Sequence, residues 1–166
     1  MMVHPSGFTT ESGTSLAMEA LQFDYTGRPS HAAASPENGI NALNAVIQLF
    51  NGVDALRQHV TPDVRMHGII TNGGVAANIV PEHATAQFYI RAATKEYLAV
   101  VKEKVLGIAQ GAALMTGATL EVSNYELSYD DLKTNAVLSE TFNENLRSLG
   151  ITEIHKHRKG TGSVDI

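Results

Sequence analysis

The sequence predicts an α+β fold of the split βαβ, or ferredoxin-like, kind: a four-stranded antiparallel sheet with two helices on one face. Three observations carry this expectation. Two long segments, one from about 36 to 57 and one following Thr94, repeat apolar residues at spacings of three and four, as an amphipathic helix does. Residues 84–91 alternate cleanly between apolar and polar, as a strand with one covered face does. The remaining short stretches complete the order strand, helix, strand, strand, helix, strand over about residues 15–127.

The elements follow in order. Over 15–25, Leu16, Met18, Leu21, Phe23 and Tyr25 alternate roughly with polar residues, and the phase shifts near Ala20, which predicts a long, bulged strand. Gly27-Arg28-Pro29-Ser30-His31 interrupts it. Ser35-Pro36-Glu37 then offers an N-cap residue, a first-position proline and a first-turn acid, so a helix is expected from there to about Arg57. Its apolar face is Ile40, Leu43, Val46, Ile47, Phe50, Val53 and Leu56. A second strand over 64–71 ends at Asn72-Gly73-Gly74, a cluster that favours positive φ and therefore a turn. In the third strand Ala84, Ala86, Phe88 and Ile90 point one way, and Thr85, Gln87, Tyr89 and Arg91 the other. Thr94 caps the second helix, whose stripe of Leu98, Val101, Val105, Ile108, Ala112 and Met115 is stopped by Gly117. A fourth strand over 119–123 and a third amphipathic helix, through Leu138, Phe142, Leu146 and Leu149 to Gly150, complete the pattern. The tail from 152 to 166 is polar and unpatterned.

Composition narrows the class. At 166 residues the chain is about one domain, and 43% apolar with 17% charged residues argues against disorder. No apolar run approaches the ~18 residues of a membrane span. A net charge of −5 with no basic stripe disfavours nucleic acid as a partner. With no Cys there is no disulfide, thiolate metal site or Cys nucleophile. Met1-Met2-Val3-His4-Pro5 lacks a charged segment before an apolar stretch, so no secretory signal is expected and a cytoplasmic location is the default.

Two strings go further. Gly27-Arg28-Pro29-Ser30-His31-Ala32-Ala33-Ala34-Ser35-Pro36, followed by Asn41-Ala42-Leu43, resembles the opening of the lid domain in the M-twenty family of zinc metallopeptidases and amidohydrolases. Asn72-Gly73-Gly74-Val75-Ala76-Ala77-Asn78-Ile79-Val80-Pro81-Glu82 is similar to a second stretch of that lid, with Arg91 ending the next strand. The resemblance covers nearly the whole chain and is strongest from Met1 to Arg91. It implies a lid or dimerisation domain over 15–130, flanked by a remnant of a catalytic domain (1–14) and a return segment (131–166). The chain is then expected to be a fragment, inactive alone, of an enzyme that cleaves an amide bond in an N-acyl amino acid or dipeptide-like small molecule. His4 matches a zinc ligand. His31 matches a histidine that reaches the neighbouring subunit's active site and stabilises an oxyanion there. Asn78 and Arg91 match substrate-binding residues that flank the same cleft, the arginine suiting a carboxylate clamp. Zinc is expected in the parent enzyme and not tightly bound here, since a catalytic zinc needs about three protein ligands and only His4 matches one.

The same topology puts the strand over 64–71 at a sheet edge, where unpaired backbone invites another chain. A homodimer through this edge and the adjacent helix is the expected assembly. Against the enzymatic reading stands a ferredoxin-like module that binds a small ligand and regulates a partner, since this fold hosts many functions. His67 and His83 read as structural or surface residues. The basic cluster of His155, Lys156, His157, Arg158 and Lys159 reads as a solvated return segment, and Gly73 and Gly74 as backbone geometry.

Overall fold

The structure, a computed structural model, describes Gly7 and residues 9–156. Four strands, β1 (Ala17–Thr26), β2 (Arg65–Asn72), β3 (His83–Ala92) and β4 (Thr119–Asn124), form one antiparallel sheet in the order β2-β3-β1-β4. Helices α1 (Ala42–Leu56) and α2 (Lys95–Thr116) cover one face, and α3 (Ala136–Ser148) follows β4. This is the expected split βαβ arrangement, with β2 at an edge.

The alternation in β3 decides what is inside. Ala84, Ala86, Phe88 and Ile90 are buried toward the helices beside Leu21, Phe23 and Tyr25 of β1, against Val46, Leu49 and Val53 of α1 and Val101 and Val105 of α2. Phe88 meets Phe23 edge-on, with ring centroids 6.1 Å apart, and Phe50 at 4.7 Å. The Tyr25 hydroxyl donates to the Ala109 carbonyl at 3.0 Å, and burial pushes its phenol pKa up. Thr94 caps α2 as expected, its Oγ1 accepting from the Tyr97 amide.

Three local expectations need correction. The first helix does not begin at Pro36. Residues Pro36–Asn38 form a short 3-10 turn, and α1 starts at Ala42, where the Asn41 side chain accepts from the Asn44 amide. The turn closes early because Ile40 pairs with Arg28 in both directions, at 2.9 and 2.8 Å, and the chain is extended at Gly39 and Asn41 on either side of that pair.

β1 is not bulged. It pairs without a register shift from Ala17↔Ala92 to Thr26↔His83, and from Leu21↔Asn124 to Thr26↔Thr119. The phase change arises because both faces are buried at its start: Ala17 on the helix side, Met18 and Ala20 on the other. The chain beyond β4 returns to that part of β1, with the Tyr125 amide on the Ala20 carbonyl at 3.3 Å and the Tyr129 amide on the Met18 carbonyl at 3.0 Å. Residues 126–128 loop out between these contacts. Asn124 Nδ2 and Ser128 Oγ, each 2.9 Å from Glu19 Oε2, pin the loop's two ends. Lys102 Nζ completes the cluster at 3.1 Å from Glu19 Oε1.

The tail is not wholly unpatterned either. His155 pairs with the leading segment, its amide donating to the Thr9 carbonyl at 3.0 Å and its carbonyl accepting from the Glu11 amide at 2.9 Å. The segments leading into and out of the sandwich thus run side by side. α3 forms as expected, capped by Asn135, but Leu138, Phe142 and Leu149 on its apolar stripe are 62, 44 and 78% exposed. Among the described residues no helix is long and apolar enough to cross a membrane.

Candidate functional site

The first string folds by extending the β1–β3 ladder beyond the strands. The Gly27 amide donates to the Glu82 carbonyl at 2.7 Å, the Val80 amide to the Ser30 carbonyl at 2.9 Å, and the Ala32 amide to the Asn78 carbonyl at 3.0 Å. His31 and Ile79 form a bridge between the two loops. Gly27 is required by close approach, since a Cβ there would lie 2.0 Å from the Ile40 carbonyl oxygen. Gly74 turns the second string with φ 108°, a left-handed conformation that side chains resist. Backbone pairing therefore brings His31 and Asn78 together at one end of the sheet.

The His31 ring is fixed from one side. Its Nδ1 accepts from the Ala33 and Ala34 amides at 3.3 and 3.1 Å. Two N–H donors on Nδ1 assign the neutral ring its proton on Nε2. The ring is exposed, so that Nε2–H is available to a group outside its own loop. Beside it, Leu43, Gly74, Val75, Ile79 and Pro81 line an open cavity of about 390 Å³.

Arg91 is elsewhere. It pairs with Met18 and Arg65, whereas His31 lies beyond the His83 end of β3. Eight residues at about 3.3 Å each put these ends about 26 Å apart. Within one chain, then, the structure unites His31 with Asn78 and separates both from Arg91.

Around Arg91 the outer sheet face carries rings that the sequence alone does not assign to the site. The Arg91 guanidinium carbon lies 5.6 Å from the centroid of the Tyr89 ring. His67, opposite Tyr89 on β2, and Tyr125 have ring centroids 5.5 and 5.6 Å from it. The Tyr89 hydroxyl bonds the Glu126 carboxylate; that bond, then burial, raises the phenol pKa. Burial, then the charges of Arg91 and Arg57, hold the His67 imidazole below its ordinary value. Arg65, the cross-strand neighbour of Arg91, donates to the carbonyls of Pro62 and Val64 at 2.6 and 2.8 Å, which turns its charge toward the β2 connector. The alternation of β3 sets Tyr89 beside Arg91 on the polar face, and that is the available signal. Tyr125 and Glu126 lie in an irregular loop that carries no periodicity.

His4, and His157, Arg158 and Lys159 of the basic cluster, lie outside the described residues. Among those described, no group of three or more His, Asp or Glu side chains converges as a metal site would. The described residues offer a ring N–H at one end of the sheet and a guanidinium at the other.

The chain belongs to the peptidase dimerisation domain family, whose model matches residues 19–114. It is 35% identical over 150 residues to the Xaa-Arg dipeptidase of Mus musculus, covering 90% of this chain and 35% of the relative. It is 32% identical over 152 residues to a p-aminobenzoyl-glutamate hydrolase subunit of Escherichia coli (strain K12), covering 90% of this chain and 31% of that protein. Among solved structures, the aminobenzoyl-glutamate utilization protein of Klebsiella pneumoniae superposes with a TM-score of 0.79 at 20% identity, over 96% of this chain and 42% of that one. The chain thus spans about a third of the length of the curated relatives it matches.

Proposed function

We propose that this chain is the dimerisation and lid domain, over about 15–130, of a zinc-dependent amidohydrolase or peptidase that cleaves an amide bond in an N-acyl amino acid or dipeptide-like substrate. The observation that carries it is the His31 ring, whose Nδ1 is occupied by two backbone amides so that Nε2–H faces outward beside Asn78. When an oxygen nucleophile adds to an amide carbonyl, negative charge grows on the carbonyl oxygen, and a donor fixed beforehand stabilises it by roughly 3–4 kcal/mol. Asn78 adds a hydrogen-bonding group at the same end, and Arg91 holds a substrate carboxylate as a bidentate fork. Zinc, with its ligands, belongs to the parts of the parent outside the described residues; His4 is assigned among those ligands by resemblance only. The paired leading and trailing segments suit a lid inserted into another domain.

The separation of Arg91 from His31 supports a shared site. If two β2 edges pair about a two-fold axis they run antiparallel, and the His31 end of one protomer meets the Arg91 end of the other. Three strand spacings then separate the two β3 strands, about 14 Å instead of about 26 Å within one chain. Ile69 and Ile70 on β2 and Ile47 on α1 are exposed along this edge, apolar surface that a partner would cover.

The test uses the full-length enzyme. His31→Ala is expected to fold and dimerise while losing kcat by about 100- to 1,000-fold. Arg91→Ala is expected to raise KM for substrates with a free carboxylate more than for their amides. Assayed at a carboxylate substrate concentration far below the KM of Arg91→Ala, where each variant alone is nearly inactive, the two together should after subunit exchange regain about a quarter of wild-type activity, because half the dimers are mixed and each holds one intact composite site. No recovery would put His31 and Arg91 in one protomer's site and end the shared-site reading.

A further inference from the structure

We propose that Tyr89 is a positioning residue for Arg91, fixing the plane of the guanidinium so that it meets a substrate carboxylate with both of its parallel N–H groups. The inference deepens the carboxylate-clamp assignment and rests on it. An arginine side chain has many rotamers to lose, so an arginine that must present a planar fork gains from being ordered before the ligand arrives. Here the guanidinium carbon lies 5.6 Å from the Tyr89 ring centroid, within the ~6 Å at which a cation is held by an aromatic face.

Tyr89 is itself held on several sides. His67 crosses from β2 with ring centroids 5.5 Å apart, Tyr125 stands at 5.6 Å, and the hydroxyl bonds Glu126. Tyr125 and Glu126 are in turn placed by the loop whose ends are pinned to Glu19. The support therefore runs from Glu19 through the loop to Tyr89 and then to Arg91. A phenylalanine would keep the aromatic face and lose only the hydroxyl anchor, whereas a leucine would fill similar space without the π system that holds the cation.

The first experiment follows the Arg91 Nε–Hε resonance in the isotope-labelled chain. Tyr89→Phe should leave it displaced by the ring current, and Tyr89→Leu should return it to the position of exposed arginines. A resonance that does not move in Tyr89→Leu overturns the proposal whatever Arg91 does in catalysis. If Tyr89→Leu does not fold, Tyr89→Val, a strand-forming residue that also lacks the ring, should return the same resonance to the position of exposed arginines; no shift overturns the proposal equally.

The second experiment is kinetic, on the full-length enzyme. Tyr89→Leu should raise KM for an N-acyl amino acid by about five- to tenfold with kcat within about twofold, and Tyr89→Phe should restore most of the loss. The KM for the matching amide should barely change. Equal losses on acid and amide, with Arg91→Ala still discriminating between them, would overturn the positioning role alone. If Arg91→Ala treats acid and amide alike, the clamp assignment falls and the role of Tyr89 falls with it.

Discussion

The two ends of the sheet are built by different means. At the His31 end the geometry is made by backbone: the ladder continues through Gly27, Ser30, Ala32, Asn78 and Val80, and even the histidine ring is oriented by main-chain amides. At the Arg91 end it is made by side chains, with the guanidinium over the Tyr89 ring, the His67 and Tyr125 rings packed against Tyr89, and a carboxylate pinning the loop's ends. A backbone-built end tolerates few changes at glycine, and its main-chain pairing uses no carboxylate. A side-chain-built end tolerates substitution better and answers to the protonation of its carboxylates.

The sharpest way to break the first end is Gly27→Val. A Cβ at Gly27 meets the Ile40 carbonyl oxygen at 2.0 Å, its carbon at 2.9 Å and the Ala42 amide at 3.1 Å, all backbone atoms that cannot rotate away. The chain must then part from Ile40, which breaks the Arg28–Ile40 pair and moves the α1 start. The expected cost is about 3–5 kcal/mol of unfolding free energy, measured by urea denaturation, in the upper range for single substitutions. A loss under about 1 kcal/mol would mean that the loop re-forms without its backbone contacts.

This contrast also explains what the sequence discloses. The order of elements, the α2 cap at Thr94 and the burial of Ala84, Ala86, Phe88 and Ile90 are legible because each is written as a local period or a short cap. The His31 end is legible because glycine, proline and asparagine specify backbone shape within a few residues. The helix start is not, because Ser35-Pro36-Glu37 has every local mark of an N-terminus while the outcome is decided by Ile40 pairing with Arg28, a backbone contact across the loop that no cap or period marks. Tyr125 and Glu126 escape notice for the same reason. Their roles come from proximity to Tyr89, which is distant in sequence, and the loop that holds them repeats nothing.

The middle-sized effect concerns the edge proposed to join the two ends across a dimer. Replacing both Ile69 and Ile70 by lysine, I69K/I70K, leaves the β2–β3 backbone ladder intact while facing like charges across the proposed two-fold axis. The dimer should weaken in the variant by about 2–3 kcal/mol, roughly 30- to 150-fold in Kd by analytical ultracentrifugation. Recovery of activity in the mixed-variant experiment should vanish with it. An unchanged Kd would place the interface away from β2.

The smallest effect separates the two ends by pH. Glu19 lies on β1 opposite Ile90, at the Arg91 end, and its carboxylate accepts from Asn124 and Ser128 and pairs with Lys102. Burial alone would raise its pKa, but those three partners outweigh it and hold the carboxyl below its ordinary value of 4.5. A group depressed in the folded state contributes stability that is fully present above 4.5 and is lost as pH falls through the lowered folded value. Acidification should therefore loosen the 124–129 loop first. Amide hydrogen exchange should rise at 125–129 while 78–82, held by backbone pairing, stays protected to lower pH. Glu19→Gln removes the titrating group and its ion pair, so it should cost about 1 kcal/mol at neutral pH and flatten the acid dependence of exchange in that loop. Equal acid sensitivity at both ends, or an undiminished dependence in Glu19→Gln, would show that some other carboxylate governs the loop and that Glu19 only neutralises Lys102.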